Sequence, residues 1–295
     1  MKLTFIPLTV ASVCALPMPS LGAQGSPSAS WDSVATILQT VTTVTDGYQR
    51  YNLPRRDITL KVGDLTVSPS LGLGTWAGFA GTPQDATMMG DLVVLSTELK
   101  RVLAELSRQG IDVAAIHNHL AGEQPSIRNV HFHGQGRAID LATRLDRVLA
   151  LTATPRPVAA ATPRPLAVDT AMVFRTLGVG GRAQGDVAQA SFTLVTQPVN
   201  AHGHPIHPAF STRSPVSIQF IDSTRAVATG DFAILGAQVD ALLDSFASSG
   251  ITATAVHSHL VEEEPTIYYI HFWADGRPAD VLRGLRAAAD AGRSR

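Results

Sequence analysis

The stretch His117-Asn118-His119-Leu120-Ala121-Gly122-Glu123-Gln124-Pro125, closed by His131-Phe132, is written a second time as His257-Ser258-His259-Leu260-Val261-Glu262-Glu263-Glu264-Pro265 with His271-Phe272. Every matched residue is displaced by the same 140 positions. The offset extends outward, pairing Gly90-Asp91 with Gly230-Asp231, Gly110-Ile111 with Gly250-Ile251, and Gly136-Arg137 with Gly276-Arg277. A constant displacement over so long a span marks two copies of one domain. Apolar positions drift between the copies, Ile116 against Val256 and Leu106 against Phe246, while the three histidines, the glutamate and the proline do not. That polar set is held more tightly than packing requires.

Working outward, residues 111–120 read as a strand with Val113, Ala115, His117 and His119 on one face, because side chains alternate along a strand. Both imidazoles would then project side by side. A loop at 121–126 carries Glu123, and a returning strand over 127–133 brings His131 beside the pair. Before the motif, 88–95 is a strand, Ser96 or Thr97 caps a helix with Leu99, Val102, Leu103 and Leu106 on its apolar face, and Gly110 ends that helix in the left-handed conformation. After it, Gly136 opens a helix through residue 150. Trp31 to about Val44 has helical spacing, with Asp32 or Ser33 placed to cap it, and short extended runs between residues 47 and 79 read as hairpins. The second copy repeats this order.

The expected fold is α+β: two homologous domains, each a mainly antiparallel sheet flanked by helices on one face, related by a pseudo-twofold axis. The β-α-β order across 88–120 allows one parallel neighbour pair. The division is 1–23 signal peptide, 24–30 disordered lead-in, 31–151 first repeat, 152–166 linker and 167–295 second repeat. The linker carries Thr-Pro-Arg-Pro twice, the composition of a semi-rigid exposed spacer.

Lys2, an apolar run from Leu3 to Leu16 and the small-residue site Leu21-Gly22-Ala23 form a secretory leader too short to span a bilayer. Export to the periplasm or outside is expected. The single cysteine, Cys14, sits in a poor lipobox, Ala11-Ser12-Val13-Cys14, which weighs against lipid anchoring. No later segment is apolar enough to cross a membrane. With 23 basic and 24 acidic residues interspersed and no basic stripe, nucleic acid is not the expected partner. A small-molecule or cell-envelope ligand fits better.

Two histidines at i and i+2, a third on the neighbouring strand and a nearby carboxylate supply imidazole nitrogens and an oxygen from one direction. This is a first shell for Zn, Mn, Fe or Ni. The candidate metal ligands are His117, His119 and His131 as one site and His257, His259 and His271 as its copy, with Glu123 or Glu263 as a base wherever it is not a ligand. The spacing His-x-His-x-x-x-Glu also occurs in cupins, but the flanking helices make that likeness convergent. The alternative is structural: imidazoles on half-buried strands often serve only as hydrogen-bonded ties. His133 is matched by Trp273, and His202, His204 and His207 have no counterpart in the first copy, so these read as local features. Arg137 with Asp140 and Arg277 with Asp280 read as surface ion pairs.

The leader, the two copies, Ala-Ile-His-Asn-His-Leu with Glu-x-Pro and His-Phe-His-Gly at 115–134, and Val-His-Ser-His-Leu with Glu-Glu-Pro and His-Phe-Trp at 256–273 together resemble the LppY/LpqO family of bacterial exported proteins. The chain departs from the lipoproteins of that family at the Cys14 lipobox, and between its own copies at Ser258 for Asn118 and Ala274 for Gly134. The resemblance implies tandem domains of unknown function and supplies no reaction. Three readings of function stay open: an envelope protein that binds a divalent metal or small ligand, a metal-dependent hydrolase or lyase, and a scaffold with non-ligand histidines. No Gly-x-Ser-x-Gly, phosphate loop or His-Glu-x-x-His supplies a second catalytic constellation.

Overall fold

The computed structural model describes residues 30–45, 48–158, 168–201, 204–258, 260 and 262–293. The leader with Cys14 and Ala23, the residues of the lead-in before Ser30, the second half of the linker, His202 and His259 lie outside them.

The first repeat runs α1 (Trp31–Leu38), β1 (Thr42–Thr45), β2 (Tyr48–Asn52), β3 (Lys61–Val62), β4 (Leu65–Thr66), α2 (Pro69–Gly72), β5 (Trp76–Gly81), β6 (Ala86–Leu95), α3 (Ser96–Arg108), β7 (Asp112–His117), β8 (Glu123–Gln124), β9 (Ile127–Gly136), α4 (Ala138–Leu149). The second runs α5 (Thr170–Leu177), β10 (Gly181–Gln184), β11 (Val187–Thr193), β12 (Val199–Ala201), β13 (His204–Ile206), α6 (Pro208–Ser211), β14 (Arg213–Phe220), β15 (Ala226–Leu235), α7 (Val239–Ser248), β16 (Thr252–Ser258), β17 (Glu263–Glu264), β18 (Ile267–Gly276), α8 (Pro278–Ala291). The two orders agree, except that a turn of 3-10 helix (Gly236–Gln238) precedes α7 in the second. Each repeat forms a six-stranded sheet, β1-β2-β5-β6-β9-β7 and β10-β11-β14-β15-β18-β16, and a three-stranded one, β4-β3-β8 and β13-β12-β17.

Every neighbouring pair of the large sheets is antiparallel. The parallel neighbour pair that the order across 88–120 allowed does not form, because β9 inserts between β6 and β7 and bonds to both. Helix α1 stops at Leu38, where Gln39 turns left-handed (φ 53°), and the β-branched run after it pairs as β1 instead. Its cap is Ser30, which accepts from Ser33 N, not Asp32 or Ser33. Ser96 is already helical in α3, and Glu98 caps that helix by accepting from Leu95 N at 2.9 Å. Gly110 and Gly250 adopt φ of 62° and 67°, the left-handed exit that glycine takes at least cost. Helix α4 starts at Ala138, two residues later than expected, since Gly136 still pairs with Ala86.

The layers follow from which face each residue occupies. Met88, Leu92 and Val94 of β6 join Val34 and Leu38 of α1, Val102 and Leu106 of α3, and Leu141 and Leu145 of α4 in one core. The other face of the same strand presents Met89, Asp91 and Val93. Val93, Leu120 and Ile127 pack with Val187, Val227 and Trp273 of the second repeat, and Tyr48 and Met89 pack with Ala201, Ile206, Phe210 and Leu260. The two sheets therefore stack face to face with their helices outside. The start of the linker is tied to the first repeat: Thr154 is buried, Val158 N bonds Gln39 O at 2.9 Å, and Arg156 pairs with Asp146, while residues 153, 155 and 157 are exposed.

Candidate metal centre

A β-bulge sets the direction of the histidines. The β7 to β9 register runs Val113 to Phe132, then Ala115 to His131 and His117 to Asn129, with Ala114 as the extra residue. Val113 thus lies against the helix-side core with Phe132, and only beyond the bulge do Ala115 and His117 turn to the inter-sheet face. The single alternating face expected for 113–119 is broken there, because one extra residue inverts the alternation. The same shift occurs between Ala253 and Ala255 on β16. Strands β7 and β16 are the last strands of their sheets in matching positions, and stacking the sheets brings these edges together.

The consequence is one centre where two were expected. His117, His131, His257 and His271 each place a ring nitrogen within 4.8 Å of the others. His257 Nε2 lies 2.7 Å from His271 Nε2, and the His117 ring lies 4.5 Å from that of His131 and 4.3 Å from that of His271. His119, just past the end of β7, has its Nε2 2.9 Å from His117 Nε2. Its backbone carbonyl accepts from Thr229 and Thr254 of the other repeat, each at 3.1 Å. The bulge residue Thr254 thereby clips one repeat's histidine loop to the other.

The carboxylates at the centre are Asp91 and Asp231. Asp91 Oδ2 lies 3.5 Å from His119 Nε2 and accepts from Asn129 Nδ2 at 2.8 Å. Asp231 Oδ1 lies 2.7 Å from His271 Nδ1 and 3.9 Å from His119 Nδ1. Glu123 and Glu263 belong to none of the groups that bring donors together among the described residues. Both are buried on the short strands β8 and β17; Glu263 Oε1 accepts from Ile267 N at 3.0 Å and Glu123 Oε1 lies 4.0 Å from Arg128. Their invariance between copies has a structural account, tying the loop to the strand that follows. The aspartates were legible in the 140-residue offset but carried no motif spacing to single them out.

The ring orientations suit metal binding. His271 Nδ1 faces Asp231, His257 Nδ1 lies 2.8 Å from Ser258 O, and His131 Nδ1 lies 3.4 Å from Gly90 O. A carboxylate or carbonyl oxygen only accepts, which favours the proton on Nδ1; the facing Nε2 atoms of His257 and His271, 2.7 Å apart, then need a proton or a cation between them. Such outer partners fix the tautomer of ligating histidines. Burial, with His131, His271, His119 and His257 around it, pushes the His117 imidazole far below its ordinary range. Burial and His271 bring His119 down to about 3, against the pull of Asp231, and bring His257 to about 4. These rings stay neutral, the state a metal ligand needs. Burial pushes Asp91 up to about 7, with the Asn129 amide opposing and Asp231 adding.

A cleft of about 380 Å³ opens over the centre, lined by His117, His257, Asn118, Arg128 and Thr254 among others. Ile116 and Val256, matched across the repeat, stand exposed beside it. Away from the centre, His207 accepts from Ala209 N to cap α6 and stacks on Tyr48 at 5.7 Å. The side chain of His204 is not among those described. Arg137 lies 3.9 Å from Asp140 as expected, whereas Asp280 pairs with Arg283 instead of Arg277.

Fold and site together define a tandem-repeat α+β protein with a histidine and aspartate centre between its repeats. Residues 32–151 and 171–291 match the family described as Domain of Unknown Function (DUF1259), and the chain belongs to that family. No curated protein matches it. Among solved structures, a double ringed trimeric shell protein from the RMM microcompartment is similar at 9% identity and a TM-score of 0.21, covering 69% of this chain and 81% of that one. A fused permuted hexameric shell protein from the same microcompartment is similar at 14% identity and a TM-score of 0.19, covering 72% and 86%. Overlaps this loose carry no argument about this chain.

Proposed function

We propose that the protein is an exported, envelope-associated metal-binding protein whose two repeats build one shared centre for a divalent transition-metal ion. The observation that carries this is the convergence of His117, His131, His257 and His271 from both repeats, with ring nitrogens within 4.8 Å of one another. Imidazole suits Zn, Fe or Ni, and four nitrogens complete a tetrahedral shell with metal-nitrogen distances of about 2.0–2.1 Å for zinc. His119 stands beside them, and the matching position of His259 makes it a sixth candidate. What supports export is the leader at 1–23, and the motifs around the six histidines support the LppY/LpqO assignment. No helix among the described residues is long and apolar enough to cross a membrane.

The second reading is a metal-dependent hydrolase or lyase, favoured by the cleft that opens over His117 and His257. In it Asp91, 3.5 Å from His119 Nε2, has the stronger claim as base, and Glu123 and Glu263, which join no donor group among the described residues, the weaker. The test of metal binding is direct. Untagged mature protein is analysed for bound metal, then melted with and without a chelator, beside His257→Ala. Near-stoichiometric metal, a lower melting temperature on chelation and loss of metal in the variant are expected. Absence of metal at micromolar concentrations, with a variant that merely loses stability, returns the histidines to a scaffold role.

A further inference from the structure

Donors at the centre exceed what one ion takes up. Beside the four-imidazole group, Asp91, His117 and His119 bring donor atoms within 4.8 Å of one another, as do His119, Asp231 and His271. The two aspartates sit against different rings. Asp231 Oδ1 is 2.7 Å from His271 Nδ1, an ion-pair distance. Asp91 Oδ2 is held by Asn129, while among the described residues Asp91 Oδ1 and His117 Nδ1 are buried with no hydrogen-bond partner. A carboxylate oxygen taken out of water with no donor is costly unless a cation meets it. Among the described residues, His119 Nε2 meets His117 Nε2 at 2.9 Å and Asp91 Oδ2 at 3.5 Å. Two imidazole nitrogens and a carboxylate left facing each other are the components of a cation site.

We propose that the centre holds a second divalent cation, bound by Asp91, His117 and His119 next to the four-imidazole ion. This rests on the metal-binding reading above and adds a second ion to it. His117 belongs to both groups; a neutral imidazole offers one lone pair, so it serves one of the two ions and the other is held by the remaining members of its group. Two neighbouring cations beneath an open cleft form a clamp for an oxygen ligand, as in two-metal sites with ions about 3.5–4 Å apart. The ligand class this favours is a small oxyanion, carboxylate or phosphate, and Arg128 on the cleft wall adds a positive charge.

The experiment counts ions. The full mature chain is stripped, reloaded with cobalt(II) alone, and its cobalt per chain and visible spectrum are measured. Two ions per chain are expected, falling to one in Asp91→Asn and in His119→Gln with the remaining ion's spectrum kept, while His257→Gln loses the other ion. Should Asp91→Asn fail to fold, His119→Gln carries the same count. One ion per chain, unchanged in both variants, overturns the second site and leaves the four-imidazole reading standing. No cobalt in the native protein overturns both.

Discussion

The His117 and His257 rings, one from each repeat, lie with centroids 4.4 Å apart and tilted by 33°. Equivalent residues of a duplicated domain thus meet in one place, and this predicts how variants combine. His131→Ala and His257→Ala should each remove the same ion, so the double variant loses no more metal-dependent stability than either single one. At free metal about 1,000 times its dissociation constant, that stability is on the order of 4 kcal/mol. Thermal melts of the four proteins with and without metal form a double-mutant cycle. Additive losses would mean two independent sites.

The metal-free protein should weaken in mild acid. Burial and neighbouring rings hold His119 at about 3 and His257 at about 4, with His117 lower still, all below the ordinary 6.5. A base whose folded pKa is depressed leaves the unfolded chain binding more protons. Its contribution is therefore present above about pH 6.5 and lost as pH falls towards the folded values. Asp91, raised to about 7, has the opposite sign: its contribution is present below about pH 4 and lost as pH rises towards 7. Three imidazoles outweigh one carboxylate, so melting temperatures of chelated protein should fall from pH 6.5 to 4. Asp91→Asn should make the fall steeper. A melting temperature that rises on acidification contradicts the neutral, buried rings.

Much of this was legible because a duplication leaves a marker at every position it keeps. The constant offset located the repeats, and the glycine ends of α3 and α7 and the antiparallel return of β9 and β18 followed from local chemistry. What escaped were features decided by tertiary pairing. The bulge at Ala114 has no sequence signal, since alanine is tolerated in either conformation, and it decides which face His117 occupies. The convergence of the two histidine sets depends on the sheets stacking, which no single strand pattern encodes. Asp91 lay in plain view within Gly90-Asp91, but a carboxylate 26 residues before His117 acquires meaning only when β6 and β9 pair.

Gly90 of β6 is closely packed by both neighbouring strands. A Cβ there would stand 2.3 Å from Trp76 O and 2.4 Å from the Phe132 ring, and the first of these is backbone that cannot rotate away. Gly90→Ala should cost about 1–3 kcal/mol by overpacking. Because Gly90 O faces His131 Nδ1, the variant should also bind metal more weakly than its stability loss explains. Urea unfolding of the metal-free form separates the two effects. Wild-type metal affinity in a destabilised variant would mean that Gly90 matters only for packing.

The last prediction concerns a charge buried in the first repeat. Arg55 has a fully buried side chain, donates to Val93 O and Glu98 Oε2 at 2.8 Å each, and pairs with Asp57 at 2.8 Å. Glu98 in turn caps α3 through Leu95 N, so one cluster fixes the end of β6 and the start of the helix that leads into β7. Removing one member of such a pair strands the other without its counter-charge, at a cost of about 3–5 kcal/mol. Arg55→Leu should lose that much in urea unfolding. Arg55→Leu with Glu98→Gln should recover part of it, because the neutral amide keeps the cap on Leu95 N and no longer needs the guanidinium. A double variant as unstable as Arg55→Leu alone would show that the loss lies in packing and in the Val93 carbonyl, not in the stranded charge.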